Sequence, residues 1–407
     1  MAPESTQGLL DGIRILDMTI VVMGPYATQV LGDFGADVIK VESLSGDTTR
    51  KIGPMRNPGM GYVFLNLNRN KRSIALDLKH PDGLAAFLRL AETADVLVSN
   101  IRPKAMARLG LTYDRLSQVN PRLIVAGLVG FGQNGPYAAQ PVYEDLIQGL
   151  TAVPSMLVAA GADQPIYVPM AFNDRMVGLY ATSAILASLL RRERTGRGLE
   201  LEIPMFETMV QGTLLEHLGG LTFDPPNGPP GYRRSLNAER RPFPTADGHL
   251  CAVIYTDSHW RAFLELIGES DRLETDPRLR DITARTEHAR EVYALIGEAM
   301  RKRTTANWLD AFEKADIPAA PLHTLDSLVE DPHLGAIRFF QTVEHPSEGA
   351  ILDMAVPGRW SEAQPSVQRL APRLGEHSLE ILREAGLDDP ALADLVAANA
   401  VGQAETR

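Results

Sequence analysis

The feature that most constrains this chain is a repeated alternation of short apolar segments and helix-like segments in its first 130 residues. The apolar segments occur at 12–18, 36–41, 73–78, 96–99 and 122–129, with helix-like segments such as 81–93 and 104–119 between them. Short runs rich in Ile, Val and Leu are typical of parallel strands that are buried on both faces. We therefore expect an α/β fold built on an open, mostly parallel sheet.

A segment dense in proline and glycine divides the chain. Residues 223–232 read FDPPNGPPGY, which is typical of a linker. A chain of 407 residues is also long enough for two domains. We predict a large domain over 1–200 and 326–407, a linker over 201–227, and a smaller α+β domain over 228–325.

Composition argues against several classes of partner and location. The formal net charge of −11 disfavours nucleic acid and anionic membrane surfaces as partners. The single cysteine, Cys251, cannot form an intrachain disulfide, which fits a reducing, cytoplasmic compartment. The first twelve residues lack the pattern of a signal peptide. No apolar run approaches the roughly 20 residues that span a bilayer.

Motifs for bound metals and nicotinamide cofactors are weak or missing. The patterns H-E-x-x-H and C-x-x-C do not occur, so we predict no metal site and no permanently bound cofactor. Gly130 to Gly135 has the G-x-G-x-x-G spacing, but Pro136 follows and no acidic residue lies about 20 positions further on. We interpret it as a glycine turn at a strand end, whose backbone N–H groups are candidates for stabilising an oxyanion.

Asp174 lies directly before the clearest predicted helix, 175–194, whose apolar residues surround its axis, so we expect it to be largely buried. Two interpretations compete for its carboxylate. Aspartate is a favoured helix N-cap. Alternatively, a carboxylate near a helix N-terminus stays ionised and can attack an activated carbonyl. Because both interpretations use the same carboxylate oxygens, a nucleophilic Asp174 cannot have both oxygens bonded to backbone N–H groups as a helix cap. Gly178, one turn further on, leaves room beside it.

A second acidic position, Glu144, lies with Tyr143 and Asp145 before a short helix-like run at 146–150. It is either the solvated start of that helix or a second carboxyl group that tunes the charge of Asp174 or handles protons.

Basic residues are frequent in the first half of this acidic chain. They are either ordinary surface charge or a cluster near strand ends that binds phosphate groups. The candidates are Lys71, Arg72, Lys79, Arg102, Lys104 and Arg108.

An ordered set of segments resembles the family III CoA-transferases. That family includes formyl-CoA:oxalate, carnitine and bile-acid CoA-transferases, and the related α-methylacyl-CoA racemases share its fold. The resemblance covers nearly the whole chain. The matching segments are GIRILD at 12–17, GP at 24–25, FGADVIKVE at 34–42, NKRSI at 70–74, NPRLI at 120–124, TGRG at 195–198 and LGEH at 374–377.

The resemblance implies a Rossmann-like large domain that binds coenzyme A, and two chains that form an interlocked homodimer. It places the family's nucleophilic aspartate on Asp174, in the setting D-x-x-x-G with Gly178, and an active-site glutamate on Glu144. Coenzyme A and acyl-CoA would be substrates, together with a small carboxylic acid. The positions that would contact CoA are Leu76, Lys79, Asn100, Arg108 and Tyr143.

The predicted function is therefore CoA transfer from an acyl-CoA donor to a carboxylic-acid acceptor, through an aspartyl anhydride and an aspartyl-CoA thioester. One alternative is an α-methylacyl-CoA racemase or epimerase. That branch needs a histidine where this chain has Glu144. The other alternative is a CoA-ester-binding protein without catalysis, against which the retained Asp174 argues.

Overall fold

The computed structural model of the chain describes residues 8–404. Short 3-10 helices occur at Thr48–Lys51 and Gly219–Thr222. The strands are β1 (Arg14–Met18), β2 (Asp37–Glu42), β3 (Lys71–Leu76), β4 (Val96–Ser99), β5 (Ile124–Val129), β6 (Glu200–Pro204), β7 (Phe243–Pro244), β8 (His249–Ala252), β9 (Ala319–Pro321), β10 (Phe340–His345), β11 (Gly349–Met354) and β12 (Val401–Gly402).

The helices carry most of the remaining ordered backbone. They are α1 (Met23–Asp33), α2 (Tyr62–Leu67), α3 (Pro81–Thr93), α4 (Pro103–Arg108), α5 (Tyr113–Val119), α6 (Glu144–Leu150), α7 (Val153–Ala159), α8 (Phe172–Thr195), α9 (Met205–His217), α10 (Asp257–Leu266), α11 (Arg272–Thr275), α12 (Ile282–Glu287), α13 (Ala289–Met300), α14 (Thr305–Lys314), α15 (Leu325–Leu328), α16 (Pro332–Ala336), α17 (Ser378–Glu384) and α18 (Asp389–Ala397).

The described chain divides into two compact units. The described residues of the first are 8–147, 170–209 and 334–404, and the second comprises Gln148–Pro169 and Val210–His333. The segment 201–227, expected to be a linker, contains most of β6 and all of α9. Its first half is ordered because apolar side chains there, such as that of Ile203, are buried in the core of the first unit.

Within residues 8–404, the first unit holds a seven-stranded sheet in the order β12-β3-β2-β1-β4-β5-β6. Strands β1 to β6 run parallel, and β12 runs antiparallel to β3. This confirms the expected open, mostly parallel sheet. The order β3-β2-β1-β4-β5-β6 is that of a doubly wound Rossmann fold. It reverses between β1 and β4, and ligands of such folds bind beyond the carboxyl ends of the strands at that point.

Alternate residues of each strand enter separate cores on the two faces of the sheet, as the pleat of a strand requires. On one face, Leu16 packs in a cluster that includes residues of α3, α17 and α18. On the other, Ile15 packs in a cluster that includes residues of α1, α8 and α9. Burial on both faces explains why these strands are apolar almost throughout.

Helix α8 starts at Phe172, earlier than expected, and ends before Gly196, whose φ of 70° forms a left-handed C-cap. The helix is less buried than expected. Val177 lies on its buried face, but Leu179, Tyr180 and Leu190 are 43%, 51% and 62% exposed. In the single chain, α1 and the sheet cover one side of α8, and the apolar side chains of the other side face solvent.

In the described part of the second unit, β7, β8 and β9 form an antiparallel sheet, and the surrounding elements are helical. The core is rich in aromatic side chains, with Trp260, Phe263, Trp308 and Phe312 buried together. The Trp308 indole N–H, which needs a partner when buried, donates to the Met300 carbonyl at 2.8 Å. This unit is of the α+β type, and the bounds of 228–325 expected for a smaller domain stay a prediction. Among the described residues, none of the helices combines the length and apolar character needed to cross a membrane.

Candidate active site

The loop between β1 and α1, residues 19–22, lies beyond the carboxyl end of β1, where the strand order reverses. Asn100, directly after β4, donates its side-chain N–H to the Ile20 carbonyl at 2.8 Å and accepts from the Ile20 N–H at 3.0 Å. Val21 has a φ of 71°, which is costly for a β-branched residue. The surrounding bonds therefore hold the loop in a strained conformation, which is common at functional sites.

A buried network of charges lies behind this loop. The Lys71 ammonium lies 2.9 Å from the Asp17 carboxylate and the Lys40 ammonium 3.1 Å from Asp47, all with side chains at 0% exposure. Burial alone would raise the pKa of Asp17, but Lys71, Lys40 and two hydroxyl hydrogen bonds hold that pKa well below its ordinary value. Lys40 donates to the Thr19 carbonyl and Lys71 to the Pro25 carbonyl, each at 2.9 Å. The network thus fixes both ends of the loop.

These contacts correct part of the predicted phosphate-binding cluster. Lys71 is fully buried and forms an ion pair with Asp17. Arg72 forms ion pairs of 2.7 Å with both Asp37 and Glu384. Both cations are committed to carboxylates inside the protein. The prediction that Lys71 and Arg72 bind phosphate is therefore wrong, because a strand position in this sheet is buried whatever its charge.

Helices α1 and α8 run alongside each other in the same direction. A Cβ on Gly178 would lie 2.8 Å from the Met23 carbonyl oxygen, and the Thr182 hydroxyl donates to the Ala27 carbonyl at 3.3 Å. The bare Cα of Gly178 therefore allows the two helices to pack closely. Asp174 precedes Gly178 by one helical turn, about 6 Å, so it lies toward the N-terminal ends of both helices.

Asp174 occupies the third position of α8, and its carboxylate does not cap the helix. Ala171 is the N-cap residue and has no capping side chain. Glu144 supplies the cap instead: it accepts from the Asp174 N–H at 2.9 Å and from the Asn173 N–H at 3.3 Å. Among residues 8–404, the Asp174 carboxylate has no hydrogen-bond partner. The capping interpretation is thus wrong for Asp174 because a different carboxylate bonds the free N–H groups.

The environment of Asp174 favours a proton on its carboxylate near neutral pH. Burial is the largest cause and the charge of Glu144 the second, and together they outweigh Arg175 and raise the pKa of Asp174 to about 7. A carboxyl group with that pKa is partly ionised at neutral pH. Its ionised form is poorly solvated, which suits a group that must attack a carbonyl carbon.

The predicted CoA-contacting residues have different surroundings. The Leu76 side chain is 1% exposed in the sheet core, and the amide of Asn100 is used by Ile20. Lys79 and Arg108 are exposed, and neither forms an ion pair with any residue that the structure describes. Tyr143 is 71% exposed. The structure joins Glu144 to Asp174 directly, but within the described residues no hydrogen bond or ion pair joins Lys79, Arg108 or Tyr143 to Asp174.

Three N–H groups of the glycine turn are already bonded within the protein. The Gly132 N–H donates to Glu207 at 2.8 Å, the Gln133 N–H to Glu202 at 3.0 Å, and the Gly135 N–H to the Gly132 carbonyl at 3.2 Å. These three amides are therefore not free to stabilise an oxyanion in this conformation. No pattern in the sequence links Glu202 and Glu207 to this turn.

Comparison with known proteins agrees with this architecture. The model of CoA-transferase family III matches residues 10–378. Human succinyl-CoA:glutarate CoA-transferase is 30% identical, with 98% of this chain and 91% of the relative covered. Formyl-CoA:oxalate CoA-transferase of Rhodopseudomonas palustris (strain HaA2) is 33% identical, with 95% and 96% covered.

Solved structures show the same fold. A crystal structure of Rv3272 from Mycobacterium tuberculosis has a TM-score of 0.78 and 30% identity, covering 92% of this chain and 99% of that one. A CAIB/BAIF family protein from Brucella suis has a TM-score of 0.78 and 29% identity, covering 94% and 100%. With its partly buried carboxyl group at the start of α8, its Rossmann-type sheet and a family match over nearly its whole length, this chain belongs to CoA-transferase family III.

Proposed function

We propose that Asp174 is the nucleophile of the CoA transfer. One of its carboxylate oxygens attacks the thioester carbonyl carbon of the donor, the C–S bond breaks, and CoA leaves as a thiolate. The thiolate then attacks the aspartyl carbonyl of the mixed anhydride and expels the donor acid as its carboxylate. The acceptor carboxylate attacks the resulting aspartyl-CoA thioester, and the released thiolate takes the acceptor acyl group, which frees Asp174.

The observation that carries this proposal is that the carboxyl groups of Glu144 and Asp174 have different roles at the start of α8. Glu144 bonds the free N–H groups at the start of α8, so the oxygens of Asp174 are not used for capping. Burial and the charge of Glu144 raise the pKa of Asp174. A carboxylate is a weak nucleophile toward a thioester, so poor solvation and fixed orientation are what such a site must provide. Glu144 occupies the position at which the racemase branch needs a histidine, and its carboxylate here accepts hydrogen bonds from the backbone at the start of α8.

Trapping of the covalent intermediate tests the role of Asp174. Hydroxylamine present during turnover should convert an aspartyl anhydride or thioester into a hydroxamate, which mass spectrometry locates on the peptide that contains Asp174. Asp174→Ala should lose both the adduct and the transfer activity. Asp145→Ala, which removes a nearby exposed carboxyl group, should keep both. Transfer by Asp174→Ala near the wild-type rate would exclude this role, and an inactive wild type would favour a non-catalytic CoA-ester-binding protein.

Coenzyme A carries phosphate groups that need cations, and Lys79 and Arg108 are proposed to supply them. Lys79 follows β3 and Arg108 lies on α4, which follows β4, and these parallel strands end at the same edge of the sheet. Both side chains are exposed without an ion-pair partner among the described residues. Arg108→Ala should raise KM for the acyl-CoA with a smaller effect on kcat. The control Arg89→Ala removes an exposed arginine on α3 and should leave KM unchanged.

The acids are proposed to be short dicarboxylic acids. Several relatives are named for such acids, namely succinate with glutarate, succinate with L-malate, and oxalate as the acceptor paired with formyl-CoA. A mass-spectrometric screen of acyl-CoA donors against a panel of mono- and dicarboxylic acids would identify the pair. Turnover with monocarboxylates alone would contradict this choice.

A homodimer is proposed as the functional assembly. The exposed apolar residues of α8, including Leu179, Tyr180 and Leu190, form a stripe that is unusual for a solvent-facing helix. A second copy of the chain would cover it. Light scattering should give twice the mass of 44.4 kDa. Leu190→Asp should shift the equilibrium toward the monomer, whereas a monomeric wild type would contradict the proposal.

A further inference from the structure

The second unit contains a cavity of about 460 Å³ whose wall carries several arginines. Arg234, Arg240 and Arg241 line it together with Cys251, and no aspartate or glutamate is among its lining residues in the described chain. The whole protein carries a formal net charge of −11. Because the overall field repels anions, a local concentration of positive charge around a cavity indicates binding of an anion there.

The backbone that carries two of these arginines is ordered by a buried residue. Asn237 is buried; its side-chain oxygen accepts from the Glu239 N–H and its carbonyl accepts from the Arg240 N–H, both at 3.0 Å. The turn therefore holds Arg240 and Arg241 next to each other at the cavity, although their side chains are exposed.

The charges at the cavity are only partly neutralised from within the protein. Arg241 pairs with Glu239 at 3.1 Å. Neither Arg234 nor Arg240 has an ion-pair partner in the part of the chain that the structure describes. The Arg234 guanidinium lies 5.2 Å from the centre of the Tyr255 ring, a cation–π contact that leaves its charge in place. After the contribution of Glu239, the equivalent of two positive charges remains.

The rest of the wall is apolar. Phe243 and Tyr293 stack with ring centroids 6.1 Å apart, and both line the cavity with alanine, valine and proline residues. A guanidinium group binds a carboxylate through paired N–H donors. An apolar surface beside it favours contact with methylene groups over contact with an inorganic ion.

We propose that this cavity binds a small organic dicarboxylate, with its carboxylates on the guanidinium groups of Arg234, Arg240 and Arg241 and its carbon chain against Phe243 and Tyr293. The two negative charges of the ligand match the two positive charges of the three arginines that remain after Arg241 has paired with Glu239. Binding at this cavity is a property of the second unit and does not depend on the role proposed for Asp174. It can therefore be measured without turnover.

The chain's single cysteine provides the readout. Cys251 lines the cavity and is partly exposed, so a bound ligand should shield its thiol from iodoacetamide. The alkylation rate should fall severalfold with saturating succinate. Potassium chloride at the same ionic strength should leave the rate nearly unchanged, because screening alone does not cover the thiol. Inorganic phosphate, which matches the charge but lacks a carbon chain, should protect less.

Variants assign the effect to the arginines. The double variant Arg240→Gln/Arg241→Gln changes exposed side chains and should fold normally while losing the protection by succinate. Arg233→Gln is the matched control, since Arg233 is an exposed neighbour in the sequence that does not line this cavity. Each protein is judged by the ratio of its rates with and without succinate, so that a change in the reactivity of the thiol itself cancels.

Three results would overturn the proposal: equal protection in the double variant and the control, equal slowing by potassium chloride, or equal protection by phosphate. Equilibrium dialysis with radiolabelled succinate gives a second readout that does not need a reactive thiol. The double variant should bind less succinate than Arg233→Gln. Equal binding by the two variants would contradict the site.

Discussion

The backbone N–H of Asp174 donates a 2.9 Å hydrogen bond to Oε2 of Glu144. The Glu144 carboxylate thus binds the backbone of Asp174, and the side-chain carboxylate of Asp174 stays without a hydrogen bond among the described residues. The same proximity places two negative charges close together, which contributes to the raised pKa of Asp174. The geometry and the electrostatics of the proposed nucleophile therefore depend on a single neighbour.

The first prediction concerns the pH dependence of transfer. Because only the ionised form of Asp174 can attack, log kcat/KM should rise with pH and level off above the pKa of about 7. The profile is measured with a saturating acceptor acid and a range of acyl-CoA concentrations. A profile that is already flat from about pH 5 upward would show that Asp174 keeps the ordinary pKa of a carboxyl group.

The second prediction separates the two causes of that pKa. Glu144→Gln removes a neighbouring negative charge but keeps an amide oxygen that can accept a backbone hydrogen bond. The midpoint of the pH profile should move to lower pH without reaching the ordinary value, because burial is the larger cause. Asp145→Asn, an exposed change on the same helix, is the control. An equal shift in both variants would indicate a general charge effect.

The third prediction concerns stability. Moving the pKa of Asp174 from 3.8 to about 7 corresponds to about 4 kcal/mol of unfavourable ionisation in the folded protein. The folded state binds this proton more tightly than the unfolded state, so the contribution to stability is present below about pH 4 and is lost as pH rises to about 7. Asp174→Asn should therefore be more stable than wild type at pH 8, with the difference shrinking toward pH 4.

Urea denaturation at both pH values gives this comparison. A loss of stability in Asp174→Asn at pH 8 would mean that the ionised carboxylate makes favourable contacts in the folded state. The variant is compared early after purification, because slow deamidation would restore aspartate.

The fourth prediction tests the close contact of α1 and α8. Gly178→Ala places a Cβ 2.8 Å from the Met23 carbonyl oxygen, so one helix must shift. We expect a loss of about 1–3 kcal/mol in the free energy of unfolding, together with reduced kcat. Gly335→Ala is the control, because a Cβ there meets nothing within 4 Å. Equal stability of both variants would show that the helices adjust without cost.

The fifth prediction concerns the loop between β1 and α1. Asn100→Ala removes both hydrogen bonds to Ile20. Each such bond is worth about 1 kcal/mol, so the free energy of unfolding should fall modestly. Asn100→Asp should be worse, since its carboxylate would face the Ile20 carbonyl oxygen where the amide N–H now donates. If both variants retain wild-type stability and KM, the two hydrogen bonds from Asn100 to Ile20 have no role in holding the loop.

The sequence predicted the sheet well because its strands are short and apolar. Strand 96–99 and helix 81–93 have the expected bounds. The stretch 104–119 was expected to be helical, but it is divided into α4 and α5, with Gly110 at a φ of 70° between them. A glycine inside a helical pattern does not reveal its own backbone angle before the structure is known.

The candidate site was predictable in part. Asp174 and Glu144 could be placed through family resemblance, yet which of them caps α8 depends on a contact between residues thirty positions apart. The charges of Asp17 and Lys40 inside otherwise apolar strands are the signal in the sequence that indicates the buried network. Exposure of one side of α8 could not be predicted, because Leu179 and Leu190 are apolar whether or not a partner covers them.

Strand β12 has a consequence for how the protein is made. Val401 and Gly402 pair with β3, and the Gly402 carbonyl accepts from the Ser378 hydroxyl at 2.6 Å. At about 5–20 residues per second, the ribosome needs tens of seconds after releasing β3 before it produces this strand. Until then, the nascent sheet has an open border to which another polypeptide can attach. Yield in a host cell should therefore improve with more chaperone, and slower translation should lower it because the border then stays open for longer.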